Sequence, residues 1–269
     1  MQIETRYARN HGATIAWTSI GDAPTDLLFI PGFISHVEHL WEQPGLAGFF
    51  ERLIGFTRFL VMDRRGCGLS DPRNEELSLD DEVGDVLAVL DAAGSERAVL
   101  MGYTTGGLLA ITTAARAPER VQAMVLYASM ARAVADDDVD WTYDEAERRQ
   151  LWARLAEVWG TGLNLEQLAP SRADDPRMRA WMARMERLSS SPGELVRLMD
   201  YVGSHNVGHL LGELRVPTLI LHRTGDRLID VRHSRYGTVV GAGLRFEERG
   251  MQALKGVPGR WPLFALAAG

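Results

Sequence analysis

Along the chain, short apolar runs rich in β-branched and aromatic residues alternate with stretches whose apolar positions recur at helical spacing. This alternation predicts a mostly parallel sheet covered by helices. Strands are expected over Thr14–Ile20, Leu27–Ile30, Arg58–Asp63, Ala98–Gly102, Ala123–Tyr127 and Pro217–His222. Several are nearly continuous apolar runs, as strands buried on both faces require. Between two of them, Leu79, Val83, Val86, Leu87 and Leu90 mark one face of a helix. Ser78 is its expected N-cap, Asp81 lies three residues on, and Gly94 supplies the stop.

After Tyr127 the alternation breaks. From about Ser129 to Leu214 the chain reads as helix-rich, carries Trp141, Trp152, Trp159 and Trp181, and is punctuated by Pro170, Pro176 and the Ser189–Gly193 run. A strand signal resumes at Pro217. The expected organisation is one core, residues 1–128 and 215–269, with a helical cap inserted over 129–214. The acidic run Asp136–Asp138 is expected as a solvated loop at the cap entrance.

Composition narrows the function classes. With 269 residues, 46% hydrophobic and 24% charged, the chain has the balance of an ordinary soluble globular protein. The net charge of −7 and the lack of any Lys/Arg-rich run argue against nucleic acid or an anionic membrane as partner. One cysteine, Cys67, permits neither an intramolecular disulfide nor a CxxC metal or redox site. The start has no apolar signal-peptide region and no run reaches the ~20 apolar residues of a membrane span, so the cytoplasm is the expected compartment.

The sharpest local feature is Gly102-Tyr103-Thr104-Thr105-Gly106-Gly107, between the strand ending at Gly102 and the apolar segment Leu108–Ala117. A G-x-S-x-G turn in that setting exposes a nucleophile at the top of a sheet; here threonine stands at its centre. Around it lie Pro31-Gly32-Phe33, Asp63-Arg64-Arg65-Gly66-Cys67-Gly68-Leu69-Ser70-Asp71, Ala117-Pro118-Glu119-Arg120-Val121, and the strand Pro217 onward ending in Gly225-Asp226. In this order and spacing, from about Gln2 to Tyr236, the chain resembles the α/β-hydrolase family. Within it, the chain resembles the small hydrolase domains sometimes fused to nucleotide cyclases. The resemblance implies an α/β-hydrolase fold with a helical cap, a small-molecule substrate and no cofactor or metal. It places the nucleophile at Thr104, oxyanion donors at the backbone of Phe33 and Thr105, and the triad acid at Asp226.

Two departures bear on the chemistry. The elbow imposes a strained backbone that β-branched residues tolerate badly, so either the turn relaxes at Thr104 or the hydroxyl is a slow nucleophile. The second is the base. The family's catalytic histidine follows its last strand, but no histidine follows His233. Ungapped counting puts Leu254 in its place, and the pattern Gly259-Arg260-Trp261-Pro262 puts Arg260 there; neither accepts a proton at neutral pH. His36, just beyond the oxyanion loop, is the candidate substitute. His233 is expected as a solvent-facing helix residue and His39 as pointing outward. His222 is expected to be packed at a strand end. His205 and His209 have a metal-compatible spacing but no third ligand. Tyr103 and Trp141 are assigned to substrate binding. The tail Gly237–Gly269 is glycine-rich with little helical pattern, as either divergence or an altered reading frame would leave it.

Three readings follow, in this order. The first is a non-hydrolytic enzyme for an apolar carbonyl compound (cyclisation, lyase or C–C bond chemistry) that uses the oxyanion pair with Thr104, Asp226 and His36. The second is an ester, thioester or lactone hydrolase with Thr104 as nucleophile. The third is a non-catalytic member binding a small ligand or a protein.

Overall fold

The computed structural model describes residues 3–73, 77–133, 143–223, 225–234, 246–253 and 260–266. Its strands are β1 (Arg6–Asn10), β2 (Ala13–Ile20), β3 (Asp26–Ile30), β4 (Arg58–Met62), β5 (Ala98–Tyr103), β6 (Val121–Tyr127), β7 (Thr218–Leu221), β8 (Phe246–Ala253) and β9 (Arg260–Leu266). Among the described residues they form one sheet in the order β1-β2-β4-β3-β5-β6-β7-β9-β8. The central five, β4-β3-β5-β6-β7, run parallel, and the flanking strands pair antiparallel. All six strands expected from the apolar pattern are present, with ends shifted by a residue or two.

Within the parallel block β3, β4 and β5 are buried on both faces, which is why their sequences read as unbroken apolar runs, while β7 is partly exposed. Leu28, Ile30, Leu60, Met62 and Leu100 point into one core, while Leu27, Phe29, Phe59, Val61 and Met101 point into the other. The second core holds Phe50 of helix α1 (Pro44–Ile54), whose ring meets Phe59 at 4.9 Å between centroids. The first takes helices α2 (Leu79–Ala92) and α3 (Gly106–Arg116). Helix α2 starts as its sequence predicts: Ser78 accepts from the Asp81 backbone while Asp81 accepts from that of Ser78. Helix α3 is buried from Gly106 to Ala114, so its small and apolar composition reflects burial on nearly all sides.

Between β6 and β7 lie α4 (Glu145–Glu157), α5 (Leu165–Leu168), α6 (Pro176–Ser189) and α7 (Pro192–Gly203). Trp152, Leu155, Leu195, Leu198, Met199 and Val202 from this helical segment join the first core. The run Asp136–Asp138 lies outside the described residues.

For the tail the sequence predicts no particular element, only a lack of helical pattern. The tail's described residues form an antiparallel hairpin whose second strand pairs with β7, Leu219 opposite Ala265 and Ile220 opposite Phe264. The apolar run Arg260–Leu266 supplies a strand signal that the surrounding glycines mask in the sequence. Pro262, which has no N–H to donate, sits opposite Met251 beside a register shift, where a lost ladder bond is tolerated. Arg260 opens β9 opposite Ala253, paired to the edge strand. Leu254 and Tyr236 lie outside the described residues.

One buried carboxylate ties the loops above the sheet together. Asp63, fully buried after β4, accepts from Ser35 Oγ, from the Val37 N–H at 3.1 Å and from the Leu69 N–H at 3.0 Å. Ser70 Oγ donates to its carbonyl at 2.6 Å. The Ser35 N–H in turn donates to Ser189 Oγ at the end of α6. Replacing Asp63 with alanine leaves two buried donors and one partly buried donor without their acceptor, and is expected to cost about 2–4 kcal/mol of stability by denaturant unfolding. A loss below ~0.5 kcal/mol contradicts this role for Asp63.

Candidate active site

β5 ends at Tyr103 and α3 begins at Gly106, so Thr104 and Thr105 carry the whole reversal of the chain. Thr104 adopts φ +49°, in the left-handed region. The turn has therefore not relaxed to accommodate threonine, and a β-branched residue held there stores about 1–3 kcal/mol of strain. Its surroundings enforce the conformation. The Thr104 N–H donates to the Tyr127 carbonyl and the Gly107 N–H to the Thr104 carbonyl, both at 3.1 Å. A Cβ at Gly106 would collide with the Ile30 and Pro31 carbonyl oxygens, and one at Gly32 would collide with Thr104 Oγ1. The elbow and the loop after β3 thus meet backbone to backbone.

That approach sets Phe33, Thr104 and Thr105 on the floor of one cavity of about 30 Å³, room for one or two waters. Met130, Trp152, Met199, Leu228 and Ile229 make its apolar wall, with Tyr143 and His233 completing it. No acceptor for the Phe33 or Thr105 backbone N–H occurs among the described residues, the condition an oxyanion-binding pair requires. Thr105 is anchored from below. Arg64, buried and ion-paired with Glu82 at 2.9 Å, donates to Thr105 Oγ1 at 3.3 Å. Cys67 is buried beneath Phe33, and burial pushes its thiol up to about 12, so it is no nucleophile at neutral pH.

The other expected site residues are not brought to this cavity. Asp226 Oδ1 accepts from the Leu228 and Ile229 N–H groups at 2.9 and 3.0 Å, and Oδ2 lies 3.5 Å from Arg223. Its carboxylate pins the turn that carries two wall residues. His36 is buried, and its Nδ1 accepts from the Glu38 and His39 N–H groups at 3.4 and 3.3 Å; burial lowers its pKa. It organises its own loop. Tyr103 stacks between Phe29 and Tyr127 in the second core. Trp141 lies outside the described residues.

Two histidine expectations are corrected. His39 points inward, stacked on Trp181 at 5.5 Å with Nε2 at 3.2 Å from the Trp181 carbonyl. His233 is 7% exposed and lines the cavity with Thr104. Only its spacing from Asp226 hinted at this, since the short helical turn at 231–234 gives no amphipathic period to read. His222 is engaged at the end of β7, with Nδ1 at 2.6 Å from Ser234 Oγ and Nε2 at 2.8 Å from the Ile229 carbonyl. His205 bonds the Tyr201 carbonyl and His209 lies on a separate 3-10 turn; no group of three metal-binding side chains occurs among the described residues.

Comparison with known proteins agrees with this geometry. A family described as the alpha/beta hydrolase fold matches residues 27–238. The chain belongs to that family. It is 27% identical over 218 residues to a pimeloyl-[acyl-carrier protein] methyl ester esterase of Nitrosomonas europaea, covering 80% of this chain and 82% of the relative. Among solved structures, the enol-lactonase from Burkholderia xenovorans aligns with TM-score 0.70 at 21% identity, over 88% of each chain. An esterase from Exiguobacterium antarcticum aligns with TM-score 0.71 at 16% identity, covering 91% of this chain and 90% of that one. Among the described residues, no helix is long and apolar enough to cross a membrane.

The elbow's packing makes a paired prediction. Gly106→Ala is expected to lose about 2–4 kcal/mol, because the new methyl meets fixed backbone oxygens. Gly48→Ala in α1, where a Cβ meets nothing within 4 Å, is expected to gain about 0.5–1 kcal/mol. Thermal and denaturant unfolding of the two variants test this, and equal shifts contradict the close approach at Gly106.

Proposed function

We propose that the protein hydrolyses small esters or lactones with an apolar acyl part, using Thr104 as nucleophile and the Phe33 and Thr105 N–H groups as the oxyanion hole. The observation carrying this reading is Thr104 on a retained left-handed elbow, lining one cavity together with Phe33 and Thr105. A serine-like attack needs that placement: the nucleophile presented by the turn, and the developing oxyanion met by preorganised dipoles. The apolar wall of Met130, Trp152, Met199, Leu228 and Ile229 supports an apolar substrate. The ester- and lactone-cleaving names of the relatives support a carboxylic ester or lactone. In this reading residues 129–214 act as a cap over residues 1–128 and 215–269, and its rearrangement admits substrates larger than the cavity as it stands.

A second reading keeps the oxyanion pair but not the acyl-enzyme: cyclisation, lyase or C–C bond chemistry on a carbonyl compound. It is favoured by the Thr104 hydroxyl having no hydrogen-bonded base among the described residues. In a third, the site only binds a ligand.

Steady-state kinetics on p-nitrophenyl acetate, butyrate and octanoate separate these. With hydrolysis through Thr104, Thr104→Ala falls to the uncatalysed background. Thr104→Ser is expected to gain on the order of tenfold in kcat/KM, since loss of the β-methyl removes about 1–2 kcal/mol of strain and crowding. Undiminished ester turnover by Thr104→Ala overturns the nucleophile assignment. No ester turnover by the wild type, with a bound ligand raising Tm, favours the binding reading.

A further inference from the structure

Of the seven histidines, only His233 lines the cavity that holds Thr104, Thr105 and Phe33. The other buried or half-buried rings are already committed: His36 to its loop, His39 to Trp181, His222 to Ser234 and the Ile229 carbonyl, and His205 to the Tyr201 carbonyl. His11 and His209 are exposed. No hydrogen bond of the His233 ring occurs among the described residues. Its backbone is fixed by a 2.9 Å bond from its N–H to the Asp230 carbonyl, and the preceding turn is held by Asp226 through Leu228 and Ile229. A buried ring with no hydrogen-bond partner among the described residues that lines the same cavity as a hydroxyl is placed for proton transfer directly or through one water.

We propose that His233, seven residues after Asp226, is the general base of the Thr104 site, taking the place that the family fills with a histidine after the last strand. The inference rests on the hydrolytic reading of that site. In the acylation step Thr104 Oγ1 forms a bond to the substrate carbonyl carbon, its proton passes to a His233 ring nitrogen, and the oxyanion rests on the Phe33 and Thr105 N–H groups. Collapse breaks the bond to the leaving alkoxide, which takes the proton from His233. Water then attacks the threonyl ester, giving its proton to His233. That proton returns to Thr104 Oγ1 as the acid leaves. No oxidant, reductant or further co-reactant is needed. Asp226 is a positioning residue here, acting through the 226–229 turn and not through a bond to the histidine.

Burial holds His233 at about 4, with His222, Arg132 and Arg232 pushing in the same direction and Asp230 opposing them. The ring is therefore neutral and proton-accepting throughout the neutral range, and it is lost as a base only when pH falls through its pKa.

The test measures kcat/KM for p-nitrophenyl butyrate from pH 3.5 to 9 (assay limits of about this span suffice to bracket the limb), using short pH jumps and checking recovery at pH 7. The wild type is expected to lose activity on the acid side with a midpoint near 4. His233→Gln is expected to lose on the order of 100-fold and its acid limb, and imidazole is expected to restore part of the rate to His233→Ala. A wild-type profile with no acid limb anywhere below about pH 7 overturns the assignment even if the variants fail to fold. So does a His233→Gln enzyme with unchanged rate and profile; if Thr104→Ala is inactive in that case, the hydrolytic reading stands and only the base is wrong. Full activity in Thr104→Ala, or no turnover by the wild type, overturns both.

Discussion

The site depends on one constraint: the backbone of Thr104 held at positive φ where the central sheet, helix α3 and the loop after β3 converge. Carbonyl oxygens of Ile30 and Pro31 stand where any side chain at Gly106 would go, and Gly32 leaves just enough room for the Thr104 hydroxyl. The turn cannot open without separating α3 from β3. A threonine at this position therefore inherits the geometry that presents a hydroxyl, at a cost in strain that the buried helix α3 and the parallel strands sustain. The fold thus fixes the backbone of the elbow whatever the residue, and what the elbow can do turns on which groups share its cavity.

Those groups come from loops, and the loops are tied by buried charge. Asp63 clamps the loop after β3 to the turn after β4 and, through Ser35, to the end of α6. Arg64, paired with Glu82, reaches Thr105. Hydrogen bonds thus run from the turn after β4 to the Thr105 side chain and to the loop after β3.

The fold was largely legible in the sequence because strands buried on both faces must be continuously apolar, and because the Ser78–Asp81 cap and the glycines of the elbow are local in cause. The hairpin of the tail was not legible. β9 is defined by pairing to β7, a long-range event, and β8 by pairing to β9, while Gly250 and Pro262 break the local pattern. The turns that bring Phe33, Thr104 and Thr105 to one cavity could be read because their glycine signals are local. His233 could not, because its burial comes from packing at the cavity wall and not from any period in its own short turn. His36 misled for the converse reason: nearness in sequence to the oxyanion loop put it in the same loop but turned its ring into a loop acceptor.

The central claim is that the strained threonine hydroxyl is the group that attacks. The most direct measurement is peptide mapping by mass spectrometry after acid quench of the full-length protein mixed with excess p-nitrophenyl butyrate. The account predicts a butyryl ester on Thr104, formed with a burst of p-nitrophenol and absent in Thr104→Ala. Ester turnover with no acyl group on Thr104, or with the acyl group on another residue, contradicts it.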